Sequence, residues 1–376
     1  MSGESRRAAQ SLTDTHAKHR LSPGTFPRNE TEIARMSLTV RCSIDFDAPG
    51  KQVGYISITN STDTSAWGYL RVPIVSIVGG DGPGAVVFGG NHGDEYEGQI
   101  ATSTLARKLE AKDVLGRLII IPCLSGEASR GGTRHWPNGD NLNRLFPGDD
   151  GGTPAAQLAS FISTELFPRV DAVIDIHSGG RTMVSLPVSH MHWEDDAAMR
   201  RKMVQHMLAW NTGYHFIYGS ISGGGDHLLP GDAARQGKLV VTTELGGGGI
   251  TSAETIRIAN DGLANVLRSF GVLPGEVLDH TSLGRGEPVV LDSRNPSFYI
   301  QADKRGLYEN ACTPGDAISA GQVVGYLHDM DDLTLDPQPL HAVDDGILIM
   351  SRGLPIVEPG MVVSVIGQPI AISEIG

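Results

Sequence analysis

Short β-branched apolar runs recur through the middle of the chain, at Ala85–Phe88, Leu118–Ile121, Ala172–Ile176 and Leu239–Thr242, each bounded by glycine or proline nearby. Runs of this length without polar alternation read as strands buried on both faces. Between them stand apolar patterns of helical period. Ile100, Leu105 and Leu109 share one stripe, and Thr153 with Pro154 marks a cap and first turn ahead of Leu158, Phe161, Ile162 and Leu166. Met199, Met203, Met207 and Leu208 form another stripe. Thr251 with Glu254 reads as a capping box before Ile256, Leu263, Val266, Leu267 and Phe270, with Gly271 and Pro274 as the stop. Strands buried on both faces need helices on both sides, so the alternation predicts an α/β layer domain.

The pattern changes after Pro274. Short alternating segments follow at Pro288–Leu291, Phe298–Ala302, Gln322–Leu327, Gly346–Met350 and Met361–Ile366, separated by turn signals such as Pro314-Gly315 and Pro359-Gly360. That spacing predicts a small C-terminal all-β domain. A length of 376 residues accommodates about two domains at roughly 100–200 residues each. The expected organisation is therefore a mobile N-terminal tail over 1–36, an α/β domain over 37–274 and an all-β domain over 275–376. Leu38–Ile77 is expected to add peripheral strands before the first buried one.

Charge narrows the partners. With 30 basic against 43 acidic residues and a formal charge of -13, most of the surface repels a phosphate backbone or an anionic membrane. Nucleic acid and membrane are thus not expected partners, and the longest apolar stretch, Leu118–Leu124, falls far short of the ~18 residues of a span. Cys42, Cys123 and Cys312 stand far apart in no metal or redox spacing, which fits a reducing cytoplasm. Any metal site has to use other ligands.

Chemistry-bearing residues collect where the buried runs end. His92 and Glu95 follow the first run in Gly89-Gly90-Asn91-His92-Gly93-Asp94-Glu95, a spacing that brings an imidazole and a carboxylate to one side of a helix entrance. The third run leads directly into His177, and open α/β sheets bind ligands at the carboxyl ends of their strands. Two histidines and one glutamate leave a fourth tetrahedral position, as a catalytic zinc does. Taken singly, each is more often a structural residue. Asp175 shares the strand parity of His177 and reads equally as a hydrogen-bond acceptor for a ligand imidazole or as an acid buried beside an arginine. The fourth run ends in Thr242-Thr243-Glu244-Leu245-Gly246-Gly247-Gly248-Gly249, placing Glu244 at the same edge as a candidate proton carrier. A long loop after the second run carries Arg134, Asn143 and Arg144, and guanidinium groups suit an anionic substrate.

In this order, the strings GGNHGDEYEG, TRHWPNGDNLNRLFPG, DIHSGG and TTELGGGG resemble the succinylglutamate desuccinylase and aspartoacylase family, a branch of the zinc carboxypeptidase clan. The resemblance spans the chain from about Phe46 to its end. It implies a zinc-carboxypeptidase-like layered domain, with a mostly buried mixed sheet flanked by helices and a C-terminal β module narrowing the cleft. By it His92, Glu95 and His177 are expected to ligate one Zn2+ per chain, and Glu244 to act as general base and acid. Arg134 matches the arginine that polarises the scissile carbonyl, and Asn143 and Arg144 match the pair that clamps the substrate carboxylate. The implied reaction is hydrolysis of the N-acyl bond of a small anionic N-acyl amino acid. Within the family, SAWGYLRVPI, NHGDEYEGQ and TTELGGGG are most similar to bacterial deacetylases of N-acetyl-2,4-diaminobutyrate, from which Ser220–His227 departs. Homo-oligomers are common among such enzymes, although no stripe here identifies an interface.

Other readings stay open. One is a small-peptide carboxypeptidase of the same clan, and another is a non-catalytic ligand-binding module using the same cleft. Nucleotide, dinucleotide and serine-hydrolase motifs are missing from the sequence. His190, His192, His215 and His227 can line a pocket or be ordinary core and surface histidines.

Overall fold

A computed structural model describes residues 40–219, 227–282 and 286–375; the expected tail over 1–36 and all but His227 of the 220–227 segment lie outside the described residues. Strands β1 (Val40–Cys42), β2 (Gly50–Thr62) and β3 (Ser65–Val78) lead into β4 (Gly84–Gly89) and helix α1 (Tyr96–Lys108). Next come β5 (Arg117–Ile121), α2 (Gly126–Gly131), α3 (Pro154–Phe161), β6 (Ala172–His177), β7 (Met183–Ser185) and β8 (Val188–His192). They are followed by α4 (Ala197–Leu208), β9 (Tyr214–Tyr218), α5 (Leu229–Arg235), β10 (Leu239–Glu244) and α6 (Ala253–Ser269). Beyond α6 lie β11 (Val289–Asp292), β12 (Tyr299–Gln301), β13 (Gly306–Asn310), β14 (Ala317–Ile318), β15 (Val323–His328), β16 (Gln338–His341), β17 (Gly346–Arg352), β18 (Ile356–Val357) and β19 (Val362–Ile370).

The four apolar runs form β4, β5, β6 and β10, which lie side by side and parallel in the order β5-β4-β6-β10. Both faces are covered, as their unbroken apolar sequence requires. Val86, Phe88, Ile119, Val173 and Val240 pack with Leu158 and Ile162 on one side. Val87, Ile120, Ile174, Ile176 and Val241 pack with Leu263 and Val266 of α6 on the other. β3 joins the β5 side antiparallel and β8 joins the β10 side antiparallel, making the sheet mixed. The architecture is a mixed α/β fold with a large central sheet and flanking helices.

Local details depart from the periodicity in two places. On α1 the buried residues include Gly98, Ala101, Thr102 and Ala106, while Ile100 is 40% exposed. A Cβ at position 98 would stand 2.6 Å from the Ile176 carbonyl oxygen, so the helix rests directly on β6 and presents its small residues there. The cap of α6 is Ser252 rather than Thr251. Its hydroxyl accepts from Thr255 N at 3.0 Å, and Thr255 Oγ1 accepts from Ser252 N at 3.1 Å. The cap of α3 does fall on Thr153, whose side chain accepts from Ala156 N at 3.3 Å.

Among the described residues after α6, regular structure is β-strand with short 3-10 turns. β11, β19, β17 and β14 extend the large sheet past β9, and β16-β15-β13-β18 form a separate four-stranded sheet. Phe298, Tyr308, Val324, Leu327, Leu348 and Val363 make a core of their own. This region is tied to the loops at the strand ends by β7, which follows the His177 segment and pairs antiparallel with β17.

Candidate active site

Because β4, β6 and β10 run parallel in register, their carboxyl ends share an edge. Gly89 pairs with Ile176, and His177 pairs with Glu244. The chain leaving β4 turns through Gly90, at φ +67°, into His92 and reaches Glu95 at the N-cap of α1. His92, Glu95 and His177 are thereby brought together, all buried, with one ligand atom from each lying within 4.8 Å of the others. Both imidazoles turn Nδ1 to the same carboxylate: His92 Nδ1 is 2.7 Å from Glu95 Oε1, and His177 Nδ1 is 2.7 Å from Glu95 Oε2. Two imidazole nitrogens and one carboxylate converging in a buried site are a donor set that fits a divalent transition metal, zinc among them.

Electrostatics sets the charge of each ligand. Burial would raise Glu95, but the facing His92 and His177 outweigh it and hold the carboxyl well below its ordinary range. Burial lowers His92 to about 4. His177 shifts the other way, because Asp175 and Glu95 flank its ring closely enough to override burial. Asp175 Oδ2 lies 2.8 Å from His177 Nε2 and accepts from Asn91 Nδ2 at 2.8 Å. Between the alternatives that parity left open, Asp175 is thus the acceptor that orients His177.

Glu244 stands beside this group. Its Oε2 is buried without a hydrogen-bond partner among the described residues. Burial, then the charge of Glu95, pushes its carboxyl up to about 8. The following glycines serve geometry: Gly247 has φ +138°, and a Cβ there would meet the Met183 carbonyl oxygen at 2.2 Å. The loop can therefore close against the residues after His177, where Gly248 N donates to Met183 O at 2.8 Å.

The loop after β5 brings its polar residues to the same edge. Arg134 Nη1 donates to Glu95 Oε1 at 3.2 Å. Asn143 is buried, with Oδ1 accepting from Leu229 N at 2.9 Å, which leaves its amide hydrogens for a ligand. Arg144 is exposed and donates to the Asn143 carbonyl at 2.8 Å. Burial and the neighbouring charge of Arg134 lower its pKa. The sequence-predicted residues therefore gather at one edge, positive groups facing a carboxylate-rich centre.

Spacing does not single out Asn91, Glu97 or Tyr218. Asn91 and Glu97 sit inside the His92 string, but their contacts are long-range, Asn91 to Asp175 and Glu97 Oε1 to Thr255 Oγ1 at 3.1 Å. Tyr218 carries no local signal at all. Burial raises its phenol pKa, and the charges of Tyr299 and Glu244 add to the effect. Of the other histidines, His215 is buried on Ser189 Oγ at 2.7 Å and His227 lies 3.1 Å from the Phe146 carbonyl.

The succinylglutamate desuccinylase/aspartoacylase catalytic domain matches residues 81–270. N-alpha-acetyl-L-2,4-diaminobutyric acid deacetylase of Halomonas elongata is 36% identical over 88% of this chain and 95% of its own length. The product-bound ectoine utilization protein EutE (DoeB) of Ruegeria pomeroyi superposes with a TM-score of 0.82 at 34% identity, covering 88% of this chain and 99% of that one. A succinylglutamate desuccinylase/aspartoacylase of Rhodobacter sphaeroides gives a TM-score of 0.82 at 33% identity, covering 89% and 99%. With a family match centred on the strands that build the site and a relative alike over nearly its whole length, this chain belongs to the succinylglutamate desuccinylase/aspartoacylase family of amide-hydrolysing deacylases.

Proposed function

We propose that this chain is a zinc-dependent deacylase that hydrolyses the N-acyl bond of a small carboxylate-bearing N-acyl amino acid, with N-acetyl-2,4-diaminobutyrate as the leading substrate. The observation that carries the reading is the convergence of two buried imidazoles on one carboxylate beside the unpaired, protonatable Glu244. The substrate assignment draws on the activity named for the Halomonas elongata relative.

His92 and His177, through Nδ1, and Glu95, through its carboxylate, would hold the zinc, with Asp175 and Asn91 fixing the His177 ring. Zinc there supplies a Lewis acid and makes water a competent nucleophile near neutral pH. Glu244 takes the proton of the attacking water and delivers it to the leaving nitrogen. Burial raises the Glu244 carboxyl, and the positive charge of a bound zinc would draw it back, so that it can both accept a proton and return it near neutral pH. Arg134 donates to the carbonyl oxygen as negative charge develops on it, in a buried site where such a donor counts most. Arg144 and the amide hydrogens of Asn143 hold the substrate carboxylate. The region over 275–376, tied to the site loops through β7 and β17, limits the cleft to small substrates.

Proton NMR of the zinc-supplemented protein with pooled N-acetyl, N-succinyl and N-formyl amino acids tests the reading. Release of acetate from N-acetyl-2,4-diaminobutyrate, stopped by chelator and restored by zinc, is expected. Glu244→Gln should lower kcat by about 10²–10⁴-fold while zinc content stays unchanged. No free acid from any member of the pool, or full turnover in Glu244→Gln, would overturn it.

A further inference from the structure

Glu97 is a buried acid that the proposed mechanism does not use. It stands in the first turn of α1, two residues after Glu95, and is 1% exposed. A carboxylate kept out of water beside another carboxylate is costly unless donors converge on it. Burial raises its carboxyl, while its own amide at the helix entrance, Ser178 and Thr255 each favour the charged form. Two of those groups come from distant segments, since Ser178 follows His177 and Thr255 lies in the first turn of α6.

Thr255 gives the contact a direction. Its Oγ1 accepts from Ser252 N at 3.1 Å and has one hydrogen to donate. The Ser252 carbonyl oxygen lies 3.2 Å away and Glu97 Oε1 3.1 Å away, and the ionised oxygen is the stronger acceptor. Ser178 also donates its backbone N–H to Glu95 Oε2 at 3.3 Å. The Glu97 carboxylate thereby stands where the start of α1, the residue after His177 and the start of α6 meet.

The turn that follows Glu244 runs across this junction. Gly246, Gly247, Gly248 and Gly249 all have positive φ. Four glycines bring wide backbone freedom and no side chains, so contacts from outside have to fix their path. At Gly246 a Cβ would stand 3.0 Å from Thr255 Cγ2 and 3.5 Å from Glu97 Oε1. On the other side, the Gly246 carbonyl accepts from Gly179 N and Ser185 N, each at 3.0 Å. The turn is thus held between the Glu97–Thr255 pair and the chain that follows His177.

We infer that Glu97 is a positioning residue of this site: through Thr255 its carboxylate anchors the glycine turn after Glu244 to the segments bearing Glu95 and His177. The sheet aligns the backbones of Glu244 and His177, and Glu97 keeps the exit from β10 from drifting away from the ligands. Its bearing on turnover rests on the deacylase reading above, whereas its hold on the turn does not.

The test compares two variants of the full-length, zinc-supplemented protein. Thr255→Val removes the hydroxyl at nearly constant shape, and Ser252→Ala weakens the α6 cap but leaves the Glu97 contact in place. Gly248 N and Gly249 N donate within the turn region, to Met183 O and Gly180 O, so their hydrogen exchange reports its opening. Exchange there is expected to quicken about tenfold in Thr255→Val and to keep the parent rate in Ser252→Ala. On the N-acyl amino acid that the parent cleaves, Thr255→Val should lose about 10- to 100-fold in kcat, with KM and zinc content within about twofold. Thr255→Ser, which restores the hydroxyl, should recover the parent kcat. Glu97→Ala should reproduce both changes and add little when combined with Thr255→Val; Thr255→Val alone decides the matter if Glu97→Ala does not fold. Parent exchange rates in Thr255→Val, faster exchange with an unchanged kcat, or an equal kcat loss in Ser252→Ala would each overturn the proposal. Exchange is read without turnover, so a parent protein that cleaves nothing would refute the deacylase reading while the exchange comparison still decides whether Glu97 holds the turn.

Discussion

Replacing Asp175 by asparagine isolates what a buried carboxylate contributes to a metal ligand it does not share. Asp175 is fully buried, and both contacts to its Oδ2, from His177 Nε2 and Asn91 Nδ2, are 2.8 Å long. Oδ1 has no partner among the described residues. An asparagine with its oxygen at the Oδ2 position keeps both contacts and puts its amide hydrogens where Oδ1 now sits. The number of hydrogen bonds is then unchanged, and what disappears is the negative charge behind His177. A charged hydrogen bond contributes about 1.5–3 kcal/mol and a neutral one about 1 kcal/mol, so the ring loses about 0.5–2 kcal/mol of support. At 1.4 kcal/mol per decade this weakens zinc binding by about 2- to 30-fold, the upper part of which overlaps the roughly 10–100-fold cost of removing such outer partners elsewhere. The stranded amide should also cost about 1–3 kcal/mol of folding stability. Zinc affinity is read by competition with a chromophoric chelator, and stability by urea denaturation. Zinc affinity within twofold of the parent in a folded Asp175→Asn protein would refute the reasoning.

Other consequences are equally open to measurement. Arg144→Lys exchanges a two-pronged carboxylate clamp for a point charge and should raise KM about tenfold with a smaller change in kcat; a kcat loss at constant KM would argue against the clamp. In Gly98→Val the new Cβ would stand 2.6 Å from Ile176 O and 2.9 Å from Ile176 Cβ, so α1 has to lift off β6, at a cost of about 1–3 kcal/mol visible as a lower urea midpoint. His206 packs on Phe270 with ring centroids 4.0 Å apart, and burial lowers its pKa to about 4. The unfolded chain binds that proton near 6.5, so between 6.5 and 4 the unfolded state carries more protons and stability falls as pH falls. His206→Gln should flatten part of that decline in a series of urea melts, and an unchanged slope would show that His206 does not set it.

Much of this molecule is readable locally. Unbroken β-branched runs can settle only where helices exclude water from both faces, which is why β4, β5, β6 and β10 were expected near where they occur. The ligand candidates were equally legible, because each lies within a few residues of a strand end and parallel strands bring such ends to one edge. What depended on the tertiary structure involves partners far apart in sequence. Proximity to β6, not periodicity, decided that α1 buries Gly98 and turns Ile100 outward. The placement of the Asp175 carboxylate against His177, rather than against an arginine, required the Asn91 loop to close beside it. A cavity lined by Glu194 and Asp195 combines the end of β8, the end of β9, the interior of β10 and the start of α5, so no window of sequence contains it. Backbone preference and hydrophobic pattern act over a few residues and are written in them, whereas charge pairing and cavity shape follow from which distant segments the sheet brings into contact.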